Sequence, residues 1–468
     1  GVDLRHQPAL IRLDDSNGDG CFHFCAGDDR QRDGGVASGG VSVDAIERDG
    51  DCGGVEEGVK KTSRVLETRE VFRFTRYNLI MLKRFSRPKT RRVLETLRVL
   101  IAILLTSCAP SPTPQPSLNF SASNNTTGFA RAFEPREFKF PEDHGAHLDY
   151  QTEWWYYTGN LQTDKGEHIG YQLTFFRRGL TKGRPTRDSA FGANQVYFAH
   201  FAITDVNGDK HSFAERFSRG AAGLAGATGS PYSVWLEDWR VESLNADGSN
   251  VRLKAKNGDV EIDLTLKSTK PIVAHGDRGL SPKSEERGNA SYYLSYTRMI
   301  TEGSVTLRGQ TMKVKGESWF DHEFSTSALG KNGIGWDWFS LQLSDGRELM
   351  LFQIRTKDGG VETVSGGTLV EKDGSVKRLA ASDVKIEVLE KWTSPQTKGE
   401  YPSRWRISIP QSLISLDLEP YLKSQEMRLS FAYWEGAVKF NGMSNGVSVT
   451  GNGYIEMTGY VASMQGVF

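Results

Sequence analysis

The stretch VEIDLTLK, residues 260–267, alternates Val260, Ile262, Leu264 and Leu266 with Glu261, Asp263, Thr265 and Lys267. Successive side chains leave a pleated backbone on opposite faces, so a period of two with one apolar side predicts a half-buried β-strand. IGYQLTF repeats the pattern with Ile169, Tyr171, Leu173 and Phe175, and RWRISI does so with Trp405, Ile407 and Ile409. Asn207-Gly208, Asp247-Gly248, Asn257-Gly258, Asp345-Gly346 and Asp373-Gly374 supply hairpin turns between such runs. Long amphipathic helical windows are nearly missing. From Glu134 onward the expectation is therefore an all-β, antiparallel body of about 330 residues, a length that suits two closed or nearly closed barrels in tandem.

Composition bounds the rest. The chain has 468 residues with 58 basic and 58 acidic side chains, a formal charge of zero that gives no reason to expect nucleic acid as a partner. Residues 1–80 carry Gly-Asp-Arg tracts such as AGDDRQRDGG without an apolar period, and burial there could not offset the entropy of ordering. They are expected to be a disordered or absent leader. The echo between KTSRVLET, residues 61–68, and KTRRVLET, residues 89–96, points to an over-extended gene model.

Residues 81–107 read as a secretory signal: seven basic side chains from Lys83 to Arg98, then the apolar run VLIAILL, too short to span a bilayer. The run ends in LTSC, which resembles the lipobox of bacterial lipoproteins and makes Cys108 the expected lipidation site. Residues 108–133, rich in Pro, Ser and Asn, would then tether the folded body to a membrane. With Ala109 after the cysteine, the expected location is the bacterial cell envelope, on the periplasmic face of the outer membrane. Cys21, Cys25 and Cys52 precede Cys108 and none follows it, so the body contains neither disulfides nor thiolate chemistry.

Aromatic residues cluster in HLDYQTEWWYYTGNL, residues 147–161, and GIGWDWFSLQL, residues 333–343. Aromatics on both faces of a strand predict burial on both faces or a cavity wall on one. Trp155, Tyr157, Trp336 and Trp338 are the expected wall residues, and tryptophan-filled cores are the alternative.

FPEDHGAHLDYQTEWWYYTGNL from Phe140, GYQLTFFRR from Gly170, YFAHFAITD from Tyr197, YYLSYTRM from Tyr292, GESWFDHEFS from Gly316 and GWDWFSLQL from Gly335 follow one another in order. Together they resemble the carotenoid 1,2-hydratase (hydroxyneurosporene synthase) family and the AttH-like predicted secreted hydrolases. The resemblance covers residues 134–468 and implies two tandem lipocalin-like β-barrel domains, 134–310 and 311–468. The boundary falls near Thr311, where GQTMKVKGESWF reads as a fresh strand after a turn.

In an extended GESWFDHEFS, Glu317, Trp319, Asp321 and Glu323 point one way while Ser318, Phe320, His322 and Phe324 point the other. That separates Asp321 from His322 and favours single-carboxylate chemistry. The hydratases are held to use an aspartate after an aromatic-x spacing, which the resemblance maps onto Trp319-Phe320-Asp321. Asp321 is the candidate proton donor, with Trp319 and Glu323 beside it and Tyr292 or Tyr293 as wall residues. The matching region for the hydratases' upstream histidine reads SYYLSY, with tyrosines instead. The structural alternative has Asp321 and Glu323 bonding backbone amides or pairing with Arg298 or Arg355.

His200 is expected inside, as a hydrogen-bonded histidine or a pocket base. His144, His147 and Glu153 are a weak metal pattern set against an ordered loop; no metal and no cofactor are assigned. Two functions stay open. One is acid-catalysed hydration or rearrangement of an isoprenoid or other lipid, a hydratase before a hydrolase, since no G-x-S-x-G is present. The other is a non-catalytic carrier of a hydrophobic small molecule, serving an ABC-type transporter.

Overall fold

The structure is a computed structural model that describes residues 126–183, 189–327 and 329–467. The leader, the signal segment and Cys108 lie outside these residues. All described residues belong to one compact unit, 110–468.

The described residues form two antiparallel sheets, of 13 and 10 strands, with no α-helix among the regular elements. The first sheet is a nearly closed barrel and the second a half-barrel. Both have the same wiring. In the first, the opening meander from Thr152–Thr163 to Lys210–Arg219 is joined to the later meander through Gln310–Ser325, the sheet's last strand, which lies beside its first. In the second, the last strand Val447–Met457 pairs with the first, Gly333–Leu343.

The alternating stretch 260–267 falls in strand Val260–Ser268, with Ile262, Leu264 and Leu266 in the core of the first barrel. Trp155, Tyr157, Tyr171, Leu173, Phe175 and Trp239 fill the same interior. Phe339, Leu341, Trp405, Ile407 and Trp434 fill that of the second. The domain boundary expected near Thr311 is corrected: Gln310–Ser325 is the hairpin partner of Ala290–Leu307 within the first sheet. The Arg308-Gly309 turn joins strands of one sheet, and the change of sheet falls between Ser325 and Gly333.

The barrels pack through the outer faces of their first and last strands and of the strands beside these. Tyr156, Tyr293 and Trp319 of the first sheet form one buried cluster with Trp338, Met350, Ala437 and Tyr454 of the second. Gly170 marks how close they come: a Cβ there would lie 2.6 Å from that of Ala437. Polar groups fix the register. Buried Glu348 receives Arg298 at 2.6 Å and Lys270 at 2.7 Å across the seam, and Gln342 donates to the carbonyls of Thr297 and Ser318.

One end of the first barrel is closed by a charged cluster. The fully buried Arg177 guanidinium donates to Glu153 at 2.8 Å, to Gln195 at 2.7 Å, and to the carbonyls of His147 and Tyr150. It thereby ties the segment before the first strand to the barrel wall. Arg177→Met would leave Glu153 buried without its guanidinium, which costs about 3–5 kcal/mol. Urea unfolding followed by tryptophan fluorescence should register that loss; a change below about 1 kcal/mol would show that the pair contributes no more than a surface bridge.

Candidate functional site

Strand Gln310–Ser325 is buried on both faces over its second half. Phe320 belongs to the interior of the first barrel, and His322 and Phe324 lie in the aromatic and polar groups at its end. Trp319, Asp321 and Glu323 project from the opposite face toward the second barrel. Between the barrels lies a partly open pocket lined by Trp154, Tyr156, Tyr293, Asp321, Trp336 and Trp338, with Glu323, Glu435, Glu456 and Lys283 as further polar members. Its volume, counted as space open to the centre of a water molecule, is about 70 Å³. One water needs about 10–15 Å³ on that scale, so the pocket has room for a few waters or one end of a larger ligand.

Asp321 is 4% exposed and sits at the centre of a hydrogen-bond network. The Tyr293 hydroxyl donates to Oδ2 at 2.6 Å, the Trp319 indole donates to Oδ1 at 2.6 Å, and the Ser295 hydroxyl also donates to Oδ1. Tyr293 in turn accepts from the Trp338 indole at 2.8 Å, which links the acid to the second barrel. Burial penalises the anion and pushes the carboxyl up to about 7, against the downward pull of the three donors. Asp321 is thus an acid that holds its proton near neutrality in an aromatic setting.

Behind Ser295 stands a group with no sequence signal, His275, in the Gly-rich turn AHGDRG. It is 1% exposed, and its Nε2 lies 2.8 Å from Ser295 Oγ while its Nδ1 lies 2.8 Å from Thr368 Oγ1 of the second sheet. Burial holds the ring's pKa down at about 3, so it is neutral and has one N–H to give. Because Ser295 gives its one proton to Asp321, His275 donates to it from Nε2 and accepts from Thr368 at Nδ1, so Thr368, His275, Ser295 and Asp321 form one directed chain of hydrogen bonds.

Glu435 and Glu456 were equally unassigned by sequence reasoning. They are directly opposite each other on Ala432–Ser444 and Val447–Met457, and Tyr156 donates to Glu435 at 3.0 Å. Burial is the main cause that raises both, Glu456 to about 8. A signal for them was present: Tyr433-x-Glu435 and Tyr454-x-Glu456 repeat the aromatic-x-acid spacing of Trp319-x-Asp321.

Of the sequence-predicted residues, Asp321, Glu323, Tyr293, Trp336 and Trp338 line the pocket, and Trp319 packs directly beneath Asp321. Four do not. Trp155 and Tyr157 lie in the first barrel's interior, and Trp154 and Tyr156 from the other face of that strand line the pocket instead. Tyr292 packs with Phe324 and Ala132 and donates to the Glu134 carbonyl. His200 is held between Tyr433 at 2.6 Å and Glu215 at 2.9 Å, away from Asp321.

Glu323 pairs with Lys283 at 2.6 Å, whereas Arg298 takes Glu317 and Glu348, and Arg355 takes Asp337. The histidine pattern also resolves differently. His144 bonds the Asp247 carbonyl, while His147, Glu153 and His322 converge with ligand atoms within 4.8 Å. There Arg177 already meets the carboxylate charge.

Fold and site together define a tandem-barrel β protein with an acid-bearing pocket between its barrels. The chain belongs to the AttH-like family, whose model matches residues 131–460. It is similar to a crystal structure from Nitrosomonas europaea designated AttH, with 31% identity over 71% of this chain and 100% of that one, at a TM-score of 0.64. The kievitone hydratase of Nectria haematococca shares the fold at 16% identity over 72% of this chain and 97% of that one, with a TM-score of 0.54. No curated protein matches the sequence.

The sign of the Asp321 shift gives a test. The folded carboxyl keeps its proton to about pH 7, whereas an unfolded aspartate loses it near 4, so the native state binds more protons between these values. This group's contribution to stability is full below pH 4 and is lost as pH rises toward 7, by at most about 4 kcal/mol. Asp321→Asn removes the titration, and its denaturant midpoint should fall less than that of the parent over this window. Identical pH profiles would place the Asp321 carboxyl in a solvated setting.

Proposed function

We propose that this protein is a lipid-anchored envelope protein that adds water to, or rearranges, an alkene end of an isoprenoid or other lipid held between its barrels. The observation that carries the reading is Asp321: a buried carboxyl, protonated near neutrality, on the wall of an aromatic pocket. Its proton would pass to the less substituted alkene carbon, breaking the π bond, forming a C–H bond and leaving a cation on the neighbouring carbon. The faces of Trp336, Trp338 and Tyr156 would stabilise that cation. Water then forms the C–O bond and loses a proton, which restores the acid, so that the net change is addition of one water.

The pocket's volume fits one end of a chain rather than a whole polyene, so the rest of the ligand would extend through the mouth. A fold that also hosts a hydratase agrees with this chemistry. The lipid anchor rests on LTSC and Cys108, and an ABC-type transporter is the partner proposed for a carrier role.

Incubation with lycopene, an acyclic polyene with trisubstituted end alkenes, in ¹⁸O-labelled water would reveal the reaction as label in a product alcohol by mass spectrometry. The rate should fall about tenfold per pH unit above pH 7 as Asp321 loses its proton. Asp321→Asn should lower it at least a hundredfold, in line with the loss of a general acid. Retention of lycopene without labelled product, unchanged in Asp321→Asn, would assign the protein to the carrier class instead.

A further inference from the structure

The pocket holds four carboxyl groups, Asp321, Glu323, Glu435 and Glu456. Lys283 is the one basic side chain among the described residues that line it, and it is already engaged. Its ammonium lies 2.6 Å from Glu323 and 5.3 and 5.1 Å from the ring centroids of Tyr293 and Phe352. The molecule thus seats its own cation in this pocket between a carboxylate and two aromatic faces. On the wall of the second barrel a second set of carboxyls and rings lines the same pocket, with no basic side chain among the described lining residues beside it. There Glu435 and Glu456 are cross-strand partners, at a spacing of roughly 5 Å between Cβ atoms. Tyr156 donates to Glu435 at 3.0 Å, the Trp336 side chain hydrogen-bonds Glu456, and Trp338 lines the same pocket. Two carboxylates so placed repel each other when both ionise, and a positive charge between or beside them relieves that repulsion. Indole faces attract the same charge.

We infer that the pocket takes a lipophilic ligand whose head carries, or acquires during reaction, a positive charge, seated between the Glu435–Glu456 pair and the rings of Trp336, Trp338 and Tyr156. The inference rests on the reading above, because a protonated alkene is such a head, and it narrows the ligand class from apolar to apolar with cationic character. It also gives the second barrel its own part in the site. Titratable groups face this position from every wall: Tyr156 and Tyr293, Asp321 and Glu323, Lys283, and the two glutamates themselves. Because burial raises Glu435 and Glu456 and so favours their protonated forms, a cation arriving beside the pair draws a proton off it, whereas a neutral ligand need not.

The test uses the full chain and three probes with one tail and different heads: octyltrimethylammonium, octanol and octanoate. Calorimetric titration at pH 7.5 in two buffers of unequal ionisation heat reports both affinity and protons released. The cation should bind about tenfold or more tighter than octanol, release close to one proton, and weaken as pH falls to 5.5. Octanoate should be the weakest of the three.

In the Glu435→Gln, Glu456→Gln double variant the preference for the cation should shrink to within about twofold and the proton release should disappear. If that variant does not fold, Glu456→Gln alone must reduce both quantities. Binding of octanol as tight as that of the cation would overturn this inference and leave the apolar pocket standing. Binding of none of the probes would overturn both. A cation preference unchanged in the variants would place the charge site elsewhere.

Discussion

A single strand buried on both faces governs this molecule. In Gln310–Ser325 the period of two sends Phe320, His322 and Phe324 toward the first barrel, and Trp319, Asp321 and Glu323 toward the second. On an isolated barrel that second face would meet water, and Asp321 would be an ordinary carboxylate. The second barrel removes the water, and desolvation then raises the acid against three hydrogen-bond donors that favour its anion. The chemistry of the site is thus a product of docking two barrels rather than of either barrel's interior.

Docking in turn depends on polar contacts that leave little freedom of register. Glu348 gathers Arg298 and Lys270 from the other sheet, and an uncompensated carboxylate there would be costly. Tyr293 joins Asp321 to Trp338, and His275 joins Ser295 to Thr368, so both shells around the acid cross the seam. A shift of one barrel against the other would break the seam and the site together.

Much of the fold was legible because a half-buried strand writes its exposure into its alternation, as in residues 260–267. The split of GESWFDHEFS into two faces was legible too, since it follows from strand geometry, whereas the choice of Asp321 and Trp319 on one of those faces came from the family resemblance. What alternation does not supply is which face is inward when both are apolar, and Trp155 and Tyr157 were therefore assigned to the pocket in place of Trp154 and Tyr156. The boundary was misplaced for a related reason, because a hairpin turn within a sheet and a turn between sheets share one chemistry. His275 reaches the site by tertiary placement of a turn and leaves no periodic trace. Glu435 and Glu456 did leave one, the aromatic-x-acid spacing that they share with Trp319-x-Asp321 on strands lining one pocket.

The central claim is that Asp321 is a buried proton donor facing the space between the barrels. Its side-chain carboxyl can be followed directly by ¹³C NMR on aspartate-labelled protein, with Asp321→Asn to identify the resonance. The structure predicts a titration centred near pH 7. A midpoint near 4, the value of an aspartate in water, would contradict the account.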